Sequence, residues 1–259
     1  MLLSDDARRY AANQLKIVLR TDPVLPINHL EHRRDLTVTR ERLHLSEQEW
    51  LDLCLEAQIH TALRDTTLSK GSRIREKHFF ACASSKTAQL THWNMRQLSG
   101  MAGIRFSLGI HPDHWELTAL RRTNTPNEPI PDAIIHLEPR CLLDSKKTRS
   151  WHDAGFTYSE DIAVEWDSGS AVRTQLEAKV LAYKYVAYYQ LWVAPTLARA
   201  ITLQAICLKV LGDATRVGVM VVDWRTGICS AATLPKRGTR LSSILEPTMR
   251  EVHNAWKWK

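Results

Sequence analysis

The stretch DIAVEWDSGS, Asp161 to Ser170, is an apolar run that ends in two acids, Glu165 and Asp167, just before a Gly-Ser turn. Its texture is that of a buried strand, and side chains two apart on a strand point to one face. Glu165 and Asp167 therefore share a face and repel each other unless a cation, a proton or a basic side chain relieves them. Upstream, IPDAIIHLE reads as a second strand and carries Asp132. Downstream, Gly169 and Ser170 open a long helical stretch, AVRTQLEAKVLAYKYVAYYQLWVA, which Pro195 ends. Strand, strand and helix in that order gather three acids at a strand edge as hard-oxygen ligands.

Magnesium prefers such ligands, taking one or two carboxylates and filling its other positions with water and phosphate oxygens. Asp132, Glu165 and Asp167 are the expected metal ligands, with Mn as a substitute for Mg. Such an ion generates hydroxide and offsets charge during phosphodiester cleavage. Lys179 would orient the attacking water, so Asp132, Glu165 and Lys179 form the candidate catalytic set. Neutralisation of Glu165 by Arg173 or Lys179 alone is the other way to relieve the repulsion.

The arrangement resembles the PD-(D/E)xK nuclease superfamily, whose core sets an Asp on one strand, Glu-x-Lys on the next and a helix after it. Pro131-Asp132 and Glu165 match, but Asp167 stands where Lys is usual. Some members are similar in moving the lysine to the following helix, where this chain has Lys179. In finer detail, PDA at 131–133, VEWDSGS at 164–170, Lys179 and Tyr183 look like the replication-relaxation family of plasmid and mobile-element proteins. LEHRRDLTV, Leu30 to Val38, is similar to a helical segment preceding that core. The resemblance implies a DNA-associated role in plasmid replication, relaxation or mobilisation, usually with an N-terminal winged helix. Little of that module fits before Leu30.

The expected fold class is α+β. An N-terminal helical, partly winged-helix-like region with a small sheet, residues 1–127, precedes a restriction-endonuclease-like (PD-(D/E)xK) α/β core, residues 128–259. Ser4, Asp5 and Asp6 start a helix that Asp22-Pro23 stops. LEHRRDLTVTRERL is a second helical stretch, and Ser46 with Glu49 forms a capping box before the apolar spacing of Trp50, Leu53 and Ile59. EKHFFACA, GIRFSLGI and WELTALRR read as antiparallel strands, and TNTPNEPIP, Thr123 to Pro131, as a linker. ITLQAICLKVL fits helix or strand, RVGVMVVDW is a buried strand, and SSILEPTMREVHNAWKWK closes as a basic amphipathic helix.

A net charge of +7 over 259 residues favours a polyanionic partner. Nucleic-acid contacts are assigned to Arg33, Arg34 and Arg40 on the second helical stretch, to Arg173, and to Tyr183. Five cysteines without a CxxC pair read as reduced, mostly buried thiols. HPDHWE, His111 to Glu116, reads as a polar turn before a zinc site. No apolar run approaches the roughly 18 residues of a membrane span, so the expectation is a cytoplasmic protein without a membrane partner. DNA is the expected partner, with room for a homodimer and for plasmid replication or mobilisation proteins. The rival reading is a noncatalytic DNA- or protein-binding regulator on a nuclease-like fold.

Overall fold

A computed structural model describes residues 4–33, 36, 45–67, 75–119, 130–136, 161–184, 187 and 189–235. The chain divides into two compact units, Met1–Gly103 with Asp223–Ile228, and Ile104–Val222 with Cys229–Lys259. The fold is mixed α+β.

In the first unit, α1 spans Asp5–Thr21, with the Ser4 hydroxyl accepting from the Ala7 N–H and Asp5 and Asp6 in its first turn. Ala11, Leu15, Val18 and Leu19 form its buried stripe, and Pro23 bars continuation. Strand β1 (Val24–Pro26) and a one-turn α2 (Ile27–Leu30) follow. Both halves of the predicted capping box start α3 (Glu47–Glu56): Glu49 N–H donates to Ser46 Oγ, and Ser46 N–H to Glu49 Oε2. Gln58, at φ 55°, supplies the left-handed turn that ends α3, and the Ile59 N–H reaches back to the Cys54 carbonyl. Strands β2 (His60–Thr67) and β3 (Arg75–Cys82) pair antiparallel, and β1 lies on the other edge of β3. Leu15, Leu25, Leu30, Trp50, Leu53 and Ala81 make the core. After a one-turn α4 (Ser85–Ala88) comes α5 (His92–Leu108), which belongs to this unit up to Gly103 and to the second from Ile104. The Asp223–Ile228 segment joins this unit through Trp224, which stacks on Phe80 with ring centroids 6.1 Å apart.

The second unit holds a six-stranded sheet in sequential order: β4 (Trp115–Leu117), β5 (Ala133–Ile135), β6 (Ile162–Trp166), β7 (Tyr189–Ala194), β8 (Val217–Val222) and β9 (Cys229–Thr233). Strands β4, β5 and β6 form an antiparallel meander. Then α6 (Arg173–Tyr183) crosses to β7, parallel to β6, and α7 (Leu197–Leu211) crosses to β8, parallel to β7. Leu176, Val180, Trp192, Leu203, Ile206 and Val219 share one core cluster, so both helices cover the sheet face that carries Trp192 and Val219. Register sets Glu165 opposite Trp192, on that same covered face.

Two expectations are corrected and one open reading is resolved. GIRFSLGI is no strand but the end of α5, whose residues from Met95 to Arg105 are buried on most sides and so lack one-sided periodicity. The long helix after Ser170 stops at Tyr183, and YQLWVA is strand β7; its buried run from Gln190 to Ala194 belongs to a sheet centre covered on both faces. The ambiguous ITLQAICLKVL lies within α7, capped by Thr196 and closed by Gly212 at φ 69°. The linker Thr123–Pro131 falls outside the described residues except at its end, as do the C-terminal amphipathic helix and all but the start of the stretch from Leu30.

Candidate functional site

One register step beyond the pairing of Ala133 with Val164, Asp132 stands opposite Glu165. The backbone of Asp132 is fixed by Thr118 and Ala119, whose N–H groups both donate to its carbonyl. Its carboxylate Oδ2 accepts the Trp166 N–H at 2.9 Å, tying the end of β5 to β6. Glu165 is 4% exposed and meets two residues of α6. Lys179 donates to Oε1, and the Tyr183 hydroxyl lies 2.6 Å from Oε2. Lys179 and Tyr183 are four residues apart on one helical face, which lets both reach the same acid.

Burial first, and the charge of Asp132 second, push the Glu165 carboxyl up to about 8, against the pull of Lys179 and Tyr183. Hydrogen-bond counting points the same way. The Tyr183 hydroxyl also lies 2.9 Å from the Ile130 carbonyl, and a phenol has a single proton to donate. With Glu165 ionised, one of those acceptors goes without. With Glu165 protonated, the acid donates to the Tyr183 oxygen and Tyr183 donates to Ile130. Burial opposes the Lys179 ammonium, yet Glu165, then Asp132 and Asp167, outweigh it and raise its pKa. The side chain of Lys179 is 44% exposed, so its charge stands at the mouth of the buried pair.

Asp167 is committed elsewhere. Its Oδ1 accepts the Gly169 N–H at 3.2 Å and its Oδ2 accepts from Arg199, whose guanidinium also donates to the Ala171 carbonyl at 2.7 Å. Among the described residues no three His, Cys, Asp or Glu side chains gather as a metal-ligand set. The pair Asp132 and Glu165 nonetheless has the chemistry magnesium takes, two facing buried carboxylates whose mutual charge a cation relieves. The residues that fit the ion are those two, and Asp167 is not one of them.

Two of the assigned nucleic-acid contacts are corrected. Arg33 is 0% exposed, with its guanidinium 3.3 Å from the equally buried Asp22 carboxylate, so it faces the core and not phosphates. Tyr183 is buried against Trp192 and Glu165, with no ring face open for a base. Arg173 is exposed at the start of α6 and pairs with Glu177 at 3.0 Å. Arg34 and Arg40 lie outside the described residues. In HPDHWE, residues 112–114 make a tight turn capped by His111, and Glu116 points away into the sheet network.

That network was not anticipated. His136, just after β5, is buried with Nε2 2.8 Å from Glu116 of β4 and Nδ1 2.9 Å from Asp161, just before β6. Burial opposes a charged ring, but Asp161 and Glu116 outweigh it and lift the imidazole to about 9. The raised pKa means this stabilisation is complete below the ordinary value near 6.5 and is lost as pH rises through 9, a change on the order of 3 kcal/mol. The urea midpoint of the protein is expected to fall over that interval, and that of His136→Gln to lack this component. A variant that declines as steeply as the wild type would refute it. The one sequence signal was parity, since residues 132, 134 and 136 share a face.

Among the described residues no helix is long and apolar enough to cross a membrane. Cys54, Cys82 and Cys207 are free and buried, and burial pushes each thiol up to about 12. No family model, curated protein or solved structure matches the chain.

Proposed function

We propose that this chain is a DNA-associated protein of plasmid or mobile-element replication and relaxation, with a nuclease-like second unit and a winged-helix-like first unit. The observation that carries the reading is Asp132 facing Glu165 across the β5–β6 ladder, with Lys179 of the next helix on Glu165. Meander, helix and parallel strand in that order support a PD-(D/E)xK-like core. In the first unit, the order α1, β1, α2, α3, β2, β3, with β1 beside β3, supports a winged helix extending well past Leu30.

Asp132 and Glu165 would hold magnesium, which when bound lowers the pKa of a water and neutralises phosphate charge. Lys179, half in solvent, would steady a phosphate oxygen or orient the water. Tyr183 holds the Glu165 carboxyl in place from the buried side. Arg199 keeps Asp167 neutralised and out of the pair.

A noncatalytic regulator on the same fold is the second reading. It is favoured by Lys179 and Tyr183 taking both Glu165 oxygens and by Arg199 taking Asp167, a charge balance that needs no ion. Incubation with supercoiled plasmid separates the two. Mg- or Mn-dependent nicking lost in Asp132→Ala and Glu165→Ala supports the enzyme. Salt-sensitive DNA binding without nicking, unaffected by either change, supports the regulator. Absence of DNA binding at low salt removes both.

A further inference from the structure

We propose that the first unit holds the DNA phosphate backbone with one face of α1, and not with α3, the helix that a winged helix would lay in the groove. The inference rests on the DNA-associated reading above. Helix α3, EQEWLDLCLE, contains no Lys, Arg or His, and carries Glu47, Glu49, Asp52 and Glu56 outside its buried Trp50, Leu53 and Cys54. Four carboxylates on one short helix repel phosphate oxygens, and no basic side chain on it can release a counterion.

The opposite balance holds on α1. Arg9, Asn13, Lys16 and Arg20 recur at intervals of four, three and four residues, which keeps them in one row on one helical face. All four are exposed. Among the described residues Arg9, Lys16 and Arg20 have no carboxylate partner, whereas Arg8 beside them is already paired with Glu56 at 2.9 Å. From Arg9 to Arg20 the row runs about 16 Å at 1.5 Å per residue, the length over which one DNA strand presents about five phosphates. Two crevices flank the row within this unit, one of about 510 Å³ lined by Arg8, Arg9, Asn13 and Lys16, the other of about 290 Å³ lined by Lys16, Arg20, Gln58 and His60. Lys16 borders both, so the cations follow one continuous track. Asp5 and Glu56 are the acids of the first crevice, and Arg8 neutralises the latter. Charge complementarity selects a polyanion with regularly spaced charge, and duplex DNA supplies it.

The test measures binding of a fluorescent 40-base-pair duplex of arbitrary sequence across a salt series, using the full chain. Arg9→Gln, Lys16→Gln and Arg20→Gln combined are expected to weaken binding at least tenfold and to reduce the slope of log K against log salt by about 2 to 3, close to one per lost contact. Because all three side chains lie in solvent, the far-ultraviolet spectrum and thermal midpoint should stay at the wild-type values. Glu47→Gln with Asp52→Asn on α3 is expected to change binding less than twofold. Wild-type binding that survives the triple change with its salt slope intact overturns the α1 assignment and leaves the DNA reading standing. No wild-type binding at low salt overturns both. Capture of polyglutamate by α1 in place of duplex overturns the choice of DNA as occupant.

Discussion

Glu165→Gln is expected to fold as stably as the wild type at pH 7.5, or to gain on the order of 1–3 kcal/mol, while losing any Mg-dependent nicking. The gain follows from where the carboxyl sits. Burial and Asp132 raise it to about 8 from 4.5, so the folded chain resists a charge at this position that the unfolded chain carries freely above pH 4.5. That cost is absent below pH 4.5 and grows as pH rises toward 8, and the stability of the wild type declines accordingly. Glutamine removes the ionisation and keeps the shape. Its amide can donate to the Tyr183 oxygen, leaving the tyrosine proton for the Ile130 carbonyl, while its Oε1 accepts from Lys179. Lys179, half exposed, keeps an acceptor and its water. A urea titration at pH 5 and pH 8 reads the prediction directly. If Glu165→Gln loses more than about 1 kcal/mol at either pH, an ionised Glu165 is part of what holds β6 to α6, and the protonated network described above is wrong.

The cost of a charge at Glu165 also bears on what this site can bind. A buried site that is destabilised by its own carboxylates stores affinity for positive charge. In the free chain Lys179 and Arg199 answer it, one for each acid of the Glu165–Asp167 stretch. On the proposed reading Glu165 has both ways of relieving the repulsion, the basic neighbour seen in the structure and a bound cation. Asp167 has only the first.

Local signals made parts of this architecture legible. Ser4 before two acids, Ser46 three residues before Glu49, and the valine-rich β8 each encode their element within one turn or one pleat, and each forms as read. Helix α5 was hidden because Gly100 and Gly103 disfavour a helix and Ile104 and Phe106 suit a strand by propensity, while burial around the helix erased its amphipathic period. Strand β2, HTALRDTT, gave no apolar run; from His60 to Thr66 the buried residues are Ala62 and Thr66, and pairing with β3 makes it a strand. In the site, parity correctly set Glu165 and Asp167 on one face. Arg199 was out of reach, because it meets Asp167 only once YQLWVA is a strand and α7 follows it. His136 failed to announce itself for the same reason, its two partners lying 20 and 25 residues away, one on β4 and one just before β6.

Arg33→Met is expected to cost about 3–5 kcal/mol, the range for breaking a buried ion pair by removing one partner. Read along the sequence, Arg33 sits in a run of basic residues and resembles a solvated or phosphate-facing side chain. Folded, it is sealed off with Asp22, their side chains 0% and 1% exposed, at the point where α1 ends and the chain has passed through β1 and α2. Asp22 cannot leave: its N–H closes the last turn of α1 on the Val18 carbonyl, and Pro23 fixes the backbone after it. Methionine fills most of the arginine's volume but leaves the carboxylate without its guanidinium, which in an interior of low dielectric is the larger loss. Adding Asp22→Asn to Arg33→Met removes the buried carboxylate charge as well and is expected to recover part of the deficit, because two neutral side chains carry no desolvated ion. Chemical denaturation of wild type, single and double variants measures this directly. A single variant within about 1 kcal/mol of wild type, or a double variant worse than the single, contradicts the buried-pair account. The same series separates structure from recognition: DNA binding by Arg33→Met, compared at a temperature where the variant is fully folded, should match the wild type, whereas changes at Arg9, Lys16 and Arg20 should reduce binding without touching stability.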